Sequence, residues 1–399
     1  MLTKRRIKSA LTGFALLVSS SFVTAQIQMV PSPPTINAKG YVLMDYQSGK
    51  ILAAGNADTQ MAPASLTKMM TAYIIGQELN QQRLTLKDPV MISDNAWSRK
   101  FPDSSKMFIK PGDQVTVADL TRGIMVQSGN DACVAMAEHV AGSEDAFVSL
   151  MNSWAQQIGM DHSNFINAHG LDGEGIATTP IDMAILLRRL INDAPEIYKI
   201  YSEKSFTWAG IQQHNRNRLL WDPSLNVDGG KTGYTSEAGY SLAASAVNDN
   251  MRLITVVMGT KSPDARIQET RKLMNFGFRF YSTEKVAEKG ASLVQAKVWM
   301  GEQDTVPVTV ADDVYATLQR SKREGLQAEL ELMPVITAPL TAGQVIGMAR
   351  WRSGDNIVQE VPLVAAKTVA EGGLIDQLVD KVLMLVDGLV KQVMAAIVG

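Results

Sequence analysis

Two parts of the chain show the pattern of a β-hairpin, in which two apolar runs flank a short polar turn. The paired runs are residues 40–46 with 50–54 and residues 240–247 with 252–258. Between the hairpins, apolar residues recur at helical spacing over segments 65–75, 117–126, 131–141, 144–158 and 179–191. Strands near both ends with helices between them predict an α+β fold, in which one antiparallel sheet packs against a helical region.

The pattern changes near residue 281. From residue 293 to 369, apolar and polar positions alternate at period two, as at Val306, Val308 and Val310. We therefore predict a small, all-β C-terminal domain over residues 282–372. Its sequence holds no cluster of His, Cys or paired carboxylates, so we expect a spacer or interaction domain and not a catalytic one.

The last segment, residues 373–399, has the pattern of an amphipathic helix. Asp376, Asp380 and Lys381 fall on one side, and Ile, Leu and Val residues fall on the other. A helix of this kind can lie in a membrane interface, and we predict a membrane anchor. A helix docked on the protein's own core is the alternative interpretation.

The first 25 residues have the pattern of a cleaved secretory signal peptide. Four cations, Lys4, Arg5, Arg6 and Lys8, precede a short apolar run and a site with small residues at Val23 and Ala25. A transmembrane helix would need about 20 apolar residues, and the run is half that length.

The net charge argues against a nucleic-acid-binding protein, and the cysteine content excludes a fold held by intramolecular disulfides. The 399 residues carry 38 Lys and Arg against 40 Asp and Glu, a net charge of −2. Without the four cations of the signal peptide the charge is −6, which argues against a nucleic-acid partner. A single cysteine, Cys133, allows no intramolecular disulfide, so the fold of this exported chain depends on its hydrophobic cores.

A Ser-x-x-Lys sequence, Ser65 to Lys68, opens the first predicted helix. The spacing places the hydroxyl and the amine on one face, where a deprotonated Lys can activate the Ser as a nucleophile. An ordinary N-cap with a solvated Lys is the alternative. The motif alone is weak, because Ser282 to Lys285 has the same form.

Two further short motifs follow. Ser128-Gly-Asn130 lies between two predicted helices, where it can also serve as a capping loop. Lys231-Thr232-Gly233 precedes the second hairpin. It is not the end of a phosphate-binding loop, because that motif needs a Gly where this chain has Leu225.

The three motifs in this order are far more specific than any of them alone, since the set is typical of penicillin-binding proteins and class A β-lactamases. The chain resembles the D-alanyl-D-alanine carboxypeptidases, the low-molecular-mass type-5 penicillin-binding proteins. The likeness covers the whole length, and the stretches 128–133, 169–172 and 226–229 strengthen it. It implies a catalytic domain over residues 26–281 with a β-lactamase-like, five-stranded antiparallel sheet.

The resemblance also implies catalytic roles. Ser65 would attack the carbonyl between two D-Ala residues, with Lys68 as its base and Lys231 as the second cation that lowers the Lys68 pKa. That pKa, about 10.4 in a free side chain, must fall by roughly three units. Ser128 would relay the proton to the leaving amine, and Asn130 would bind Lys68 and the substrate amide.

Substrate-binding roles follow from the same resemblance. Lys231, Thr232 and Arg266 would bind the terminal carboxylate, although solvation at the surface is an alternative for Arg266. The oxyanion hole would be the backbone N–H groups of Ser65 and Tyr234, next to Gly233. Arg216 would support the Lys-Thr-Gly strand. Tyr234 departs from relatives with His there, which leaves acylation rate and β-lactam sensitivity open.

Other chemistries have less support. A Ser-His-Asp hydrolase lacks a Gly-x-Ser-x-Gly elbow, and His169 is expected to hydrogen-bond a loop beside the site. No metal motif occurs, and we expect no cofactor. Cys133 is expected to be a small buried apolar residue, with a modifiable thiol as the alternative.

The expected activity is therefore removal of the terminal D-Ala from peptidoglycan pentapeptides by a periplasmic enzyme attached to the inner membrane. The expected partners are the stem pentapeptide, β-lactams, the membrane surface and a second copy through the terminal helix or β domain. The alternatives are a DD-endopeptidase, a weak β-lactamase and a non-catalytic scaffold. No Glu-x-x-Leu-Asn occurs between residues 170 and 182 to position a deacylating water, which disfavours the β-lactamase.

Overall fold

A computed structural model describes residues 31–398, apart from the side chains of residues 322–324 and 387–398. The predicted signal peptide lies outside the described residues. The strands are β1 (Gly40–Asp45), β2 (Ile51–Gly55), β3 (Pro89–Met91), β4 (Gln114–Thr116), β5 (Ser205–Trp208), β6 (Ile211–His214), β7 (Val227–Thr235), β8 (Gly239–Asn248), β9 (Met251–Thr260), β10 (Tyr281–Ala287), β11 (Val294–Lys297), β12 (Thr305–Val310), β13 (Val314–Gln319), β14 (Leu326–Leu332), β15 (Val345–Ser353) and β16 (Asn356–Ala365). The α-helices are α1 (Lys68–Asn80), α2 (Val117–Arg122), α3 (Asn130–Ala141), α4 (Glu144–Ile158), α5 (Pro180–Asp193), α6 (Pro195–Tyr198), α7 (Pro263–Phe280) and α8 (Leu374–Val398).

The first sheet is antiparallel and has the order β2-β1-β9-β8-β7. Both predicted hairpins are confirmed as β1–β2 and β8–β9. Its strands read as almost continuously apolar because both faces are covered: Val42 and Met44 pack against the helical layer, and Leu43 packs on the other face. This sheet and its helices confirm the predicted α+β fold.

Helix α7 covers the second face of this sheet, and the sequence analysis missed it. Ser262 caps its first turn by accepting from the Ala265 N–H, and Pro263 occupies the first helical position. Leu273 and Phe276 then pack against Leu253 of β9. The capping signal was therefore present in the sequence.

One predicted helix, 117–126, is divided in the structure. An α-helical part, α2, ends at Arg122, and a π-helical turn covers Gly123–Gln127. Gly123 lies so close to Met107 that an added Cβ would sit 2.3 Å from its sulfur. Ser128 directly follows this wider, π-helical turn, and such turns often occur at functional sites.

The β-rich unit that follows β10 has its own apolar core. Its five strands are antiparallel in the order β11-β12-β16-β15-β14, while β10 pairs with β13 beside them. A hydrogen-bonded junction joins this unit to the first sheet: the buried Asp45 accepts from Thr283 at 2.7 Å, and the Ser48 hydroxyl lies 2.6 Å from that of Thr317. The proposed boundary at 281/282 stays a prediction.

Helix α8 starts on the β-rich unit, where Asp380 accepts from the Met300 N–H and Gln377 donates to the Gly372 carbonyl. Its apolar side is uncovered over the part with described side chains, at Leu374, Ile375, Leu378, Val379, Val382, Leu383, Leu385 and Val386. Within residues 31–398, none of the helices combines the length and hydropathy needed to cross a bilayer.

Candidate active site

Ser65 lies in a 3-10 turn, Ala64–Thr67, that leads directly into α1. The residue before it, Ala64, has φ +47°, a left-handed conformation that is costly for a residue with a Cβ. Backbone strain of this kind concentrates at functional sites, where surrounding contacts hold it in place. The turn presents Ser65 to a cavity, while Leu66 and Thr67 are buried.

Lys68, at the start of α1, is completely buried, and its amine is surrounded by acceptors. Its Nζ lies 3.0 Å from the Ser65 hydroxyl oxygen, 2.7 Å from Asn130 Oδ1 and 2.6 Å from the His169 carbonyl oxygen. Burial lowers the pKa of Lys68 to about 8, and the nearby Arg216 lowers it further. A substantial fraction of Lys68 is therefore neutral near pH 8 and able to accept a proton from Ser65.

The second motif has an unusual backbone conformation where it borders the site. Ser128 follows the π-turn in a left-handed conformation, φ +66° and ψ +35°, and α3 begins two residues later at Asn130. Asn130 uses both ends of its amide, accepting from Lys68 and donating to the Ser104 hydroxyl at 2.8 Å. The amide orientation is thereby fixed relative to Ser65.

The third motif lies on β7, the edge strand of the first sheet. The resemblance had implied a strand here, although the hydrophobic pattern alone did not indicate one. The unpaired side of this strand faces the cavity, where Thr232, Gly233 and Tyr234 contribute to the wall. Lys231 is buried behind them and donates to the Thr232 carbonyl. Burial and the charge of Lys68 hold the pKa of Lys231 well below its usual range. The charges of Lys68 and Lys231 repel each other, and Arg216 is a further cation that lowers the pKa of Lys68. The role of Lys231 as the second cation stays a prediction.

Arg266 and Arg216 both face this cavity. Arg266, near the start of α7, donates from Nη1 to the Gly233 carbonyl at 3.2 Å, while its buried Nε has no hydrogen-bond partner among the described residues. Burial and Arg216 lower the pKa of Arg266 to about 10. Arg216 donates to the Ser105 hydroxyl at 2.6 Å. Both guanidinium groups remain cationic at neutral pH and favour a bound anion.

Tyr234 stacks on Tyr240, with ring centroids 4.2 Å apart, and the Arg266 guanidinium lies 5.7 Å from the Tyr240 ring. Tyr234 is about half exposed, whereas the same motif's Lys231 and Thr232 are buried. The two rings form an aromatic edge to the cavity beside Arg266.

The cavity has a volume of about 640 Å³ and collects eight of the ten predicted site residues, while Lys68 and Lys231 lie behind its wall. The wall also contains residues that sequence reasoning missed: Asp103, Ser104, Ser105, Thr235, Ser236 and Tyr240. Nothing in the local sequence marks Ser104 and Ser105, since their partners Asn130 and Arg216 are distant in the chain. Gly170, Leu171 and Asp172 also line it, within a stretch already noted for its resemblance.

His169 and Cys133 are placed as expected. His169 accepts from the Leu171 N–H at 3.2 Å, and burial lowers its pKa to about 3, so it is neutral at pH 7. Cys133 is fully buried in the helical core, and burial raises its pKa to about 12, which leaves an unreactive thiol. Across residues 31–398, no three His, Cys, Asp or Glu side chains are grouped as metal ligands would be.

The site therefore combines an activatable hydroxyl with a nearby buried amine and a cationic wall. This arrangement suits nucleophilic attack on the carbonyl of an anionic substrate.

Comparisons with known proteins agree with this geometry. A family model described as D-alanyl-D-alanine carboxypeptidase matches residues 27–262, and the C-terminal domain of penicillin-binding protein 5 matches residues 281–371. The chain is 45% identical to D-alanyl-D-alanine carboxypeptidase DacA of Escherichia coli K12 over 90% of both chains, and 43% identical to DacC of the same strain over 95% of this chain and 96% of DacC. The crystal structure of penicillin-binding protein 5 from Haemophilus influenzae has 46% identity and a TM-score of 0.83, covering 86% of this chain and all of that one.

We expect Gly170→Ala to disrupt the site, because a Cβ at Gly170 would lie 1.9 Å from the Ala64 carbonyl oxygen, beside Ser65. Gly175→Ala is the matched control: both glycines have φ +87°, but a Cβ at Gly175 would meet only Asn164, at 3.7 Å. The left-handed conformation costs either variant about 1–2 kcal/mol. The free energy of unfolding of Gly170→Ala, measured by chemical denaturation, should fall by at least about 2 kcal/mol more than that of Gly175→Ala, because the backbone at Ala64 or Gly170 must shift. Equal losses of unfolding free energy in the two variants would contradict this expectation and show that the loop at Gly170 accommodates the Cβ without strain.

Proposed function

Because the chain belongs to the D-alanyl-D-alanine carboxypeptidase family, we propose that it is a serine-type hydrolase of the bacterial cell wall that removes the terminal D-Ala from peptidoglycan stem pentapeptides. The observation that carries the proposal is the contact of the buried Lys68 amine with Ser65, Asn130 and the His169 carbonyl. This contact set provides a nucleophile, its base and the group that orients the base.

Acylation begins when neutral Lys68 accepts the proton of Ser65 as its oxygen attacks the carbonyl between the two D-Ala residues. The developing oxyanion is bound by the backbone N–H groups of Ser65 and Tyr234, which both border the cavity. Ser128 passes a proton to the leaving amine, the peptide C–N bond breaks, and free D-Ala departs. The stem peptide remains as an ester on Ser65.

The free carboxylate of the substrate is bound by Arg266, Thr232 and Lys231. The unpartnered Nε of Arg266 supports this role, since a carboxylate can accept from Nε and a second nitrogen together. Deacylation reverses the proton path. Lys68 accepts a proton from a water whose oxygen attacks the ester carbonyl carbon. The ester C–O bond then breaks, Ser65 Oγ takes the proton back from Lys68, and the shortened stem peptide leaves with a new terminal carboxyl group.

The same steps explain binding of β-lactams, whose strained amide would acylate Ser65. Relatives in the solved structures include penicillin-binding protein D2 of Listeria monocytogenes in an ampicillin-bound form, 28% identical to this chain with a TM-score of 0.55. We propose that the adduct of this chain is long-lived, because residues 170–182 contain no Glu-x-x-Leu-Asn sequence to position a deacylating water. Rapid penicillin turnover would instead favour the β-lactamase alternative.

We further propose that the protein is exported to the periplasm and held at the inner-membrane surface by α8. The signal-peptide pattern of residues 1–25 supports export, and the uncovered apolar side of α8 supports attachment. The alternative of a helix docked on the protein's own core is disfavoured, since polar Asp380 and Gln377 make the contacts with the β-rich unit.

We expect Ser65→Ala to abolish release of D-Ala from a pentapeptide, because the variant lacks the nucleophile. Ser282→Ala is the matched control, since Ser282 begins the other Ser-x-x-Lys sequence and lies in β10, far along the chain from the cavity. Its activity should equal that of the wild type. Free D-Ala is measured with the pentapeptide and a cross-linked dimer in parallel.

Equal D-Ala release by Ser65→Ala and the wild type would remove Ser65 from the mechanism. Cleavage of the dimer in preference to the pentapeptide would convert the proposal to a DD-endopeptidase. No release by the wild type from either substrate would favour a non-catalytic scaffold.

The pKa of Lys68 predicts a pH profile. Below about pH 8 the neutral fraction of Lys68 falls tenfold per unit, so kcat/KM should rise about tenfold per pH unit and level off above pH 8. Arg216→Met removes a cation that lowers this pKa, so its acidic limb should move to higher pH. The exposed Arg99→Met should leave the limb in place. A profile that is flat from pH 6 to 9 would rule out Lys68 as the titrating base.

Deletion of residues 374–399 should release the protein from membranes with its kcat/KM unchanged, because none of the cavity-lining residues belongs to α8. Fractionation of cells and sedimentation of the purified protein test this together. A variant that stays in the membrane fraction contradicts the anchor. Full-length protein that dimerises in detergent-free buffer without binding vesicles would assign the apolar side of α8 to a second copy.

A further inference from the structure

The segment of residues 103–109 forms one wall of the active-site cavity, although it carries none of the three motifs. Asp103, Ser104 and Ser105 line the cavity. The Ser104 hydroxyl accepts from Asn130 Nδ2 at 2.8 Å, and the Ser105 hydroxyl accepts from Arg216 at 2.6 Å. Two functional side chains from other parts of the fold are therefore held by this wall.

One buried carboxylate helps to hold the segment in place, beside the backbone hydrogen bond that the Asn130 N–H donates to the Ser105 carbonyl at 2.8 Å. Asp131, the second residue of α3, is completely buried, and it accepts from three successive backbone N–H groups, those of Met107 at 2.7 Å, Phe108 at 2.9 Å and Ile109 at 3.3 Å. It also accepts from the Ala132 N–H at 2.9 Å. Phe108 has φ +69°, and successive N–H groups converge on an anion in turns of this kind.

We propose that Asp131 is a positioning residue for the active site, which fixes the 103–109 wall and thereby the orientations of Asn130 and Arg216. Its carboxylate ties the wall to α3, the helix that begins with Asn130. Both partners of the Asn130–Ser104 hydrogen bond are therefore held by that helix, Asn130 directly and Ser104 through Asp131. This role rests on the proposed function, because the orientations matter only if Lys68 and Asn130 act on a substrate.

A carboxylate is required here, and an amide cannot replace it. Asp131 offers two acceptor oxygens to four N–H donors, whereas Asn would place an NH₂ group against backbone N–H groups. One or two buried N–H groups would then lose their partner. We expect the wall to loosen while α3 and the helical core remain folded.

The charge of Asp131 also reaches Lys68. The titratable groups that interact with the Lys68 amine are Cys133 and Asp131 of α3, Arg216, Lys231 of β7 and His169 of the adjacent loop. Asp131 raises the pKa of Lys68 and so opposes the lowering by burial and Arg216. Removing the charge should shift the acidic limb of the rate profile to lower pH, which a purely structural defect would not do.

The experiment compares Asp131→Asn with Asp113→Asn in the full chain. Asp113 is the matched control, because it also accepts a backbone N–H close to the wall, that of Lys110 at 3.1 Å, but it does not line the cavity. Two quantities are measured: hydrogen exchange of the peptide covering residues 104–110, and the second-order rate of acylation by a fluorescent penicillin between pH 6 and 9.

For Asp131→Asn we expect exchange in this peptide to rise about tenfold or more, acylation to fall about tenfold to a hundredfold, and the acidic limb to move to lower pH. Asp113→Asn should match the wild type in the acylation rate and the limb. Wild-type exchange and acylation in Asp131→Asn would overturn the proposal, as would a slower rate with an unmoved limb.

A second variant keeps the test valid if Asp131→Asn does not fold. Ser104→Ala with Ser105→Ala removes only the two side-chain links, so we expect acylation to fall about tenfold with unchanged exchange of residues 104–110. Wild-type acylation in this double variant would overturn the proposal. Failure of the proposed function is seen separately, as absence of D-Ala release by the wild type.

Discussion

The active site depends on the burial of one amine. Lys68 has no exposed surface, and a buried amine is costly unless it is hydrogen-bonded. Its three acceptors come from three separate parts of the chain, namely Ser65, Asn130 and the carbonyl of His169. The first turn of α1, the start of α3 and the loop at residue 169 must therefore meet at one point. The same burial lowers the pKa of Lys68, so the constraint on folding also leaves a fraction of the amine unprotonated near neutral pH and able to accept a proton.

Around this amine the protein concentrates positive charge, although the whole chain has a net charge of −2. Lys231, Arg216 and Arg266 each have a lowered pKa, and burial is the largest cause for each. Such a cluster opposes folding in the free protein, since like charges are held together out of water. A carboxylate-ended substrate relieves this repulsion. The other contacts of the fold must therefore offset this repulsion in the free protein, and its relief on binding contributes to the binding free energy of the substrate.

The sequence predicted the parts of this site that are local. Ser65 and Lys68 share one turn, and the two hairpins of the first sheet follow from apolar runs beside short turns. Other parts depend on contacts between distant residues: Arg216 and Ser105 are 111 residues apart, and no spacing signals their hydrogen bond. Strand β7 was indicated only by the family resemblance, because Gly229, Gly230 and Gly233 weaken its hydrophobic pattern. Pairing with β8 at the edge of the sheet accommodates these glycines. The π-turn before Ser128 depends on the packing of Gly123 against Met107 in the same way.

The junction between the two sheets has a further consequence for the proposed anchoring. Asp45, Thr283, Ser48 and Thr317 form a compact hydrogen-bonded group, and Lys50 also donates to the Thr317 carbonyl at 3.0 Å. Because these side chains are buried or half-buried, rotation of one unit against the other would leave several polar groups without partners. Because α8 follows the β-rich unit and contacts it through Asp380, the distance from a membrane bound by α8 to the Ser65 cavity would be set by that unit and not by a flexible tether. If α8 is the membrane anchor that we propose, a rigid spacer of this kind would limit the enzyme to stem peptides at one height in the cell wall.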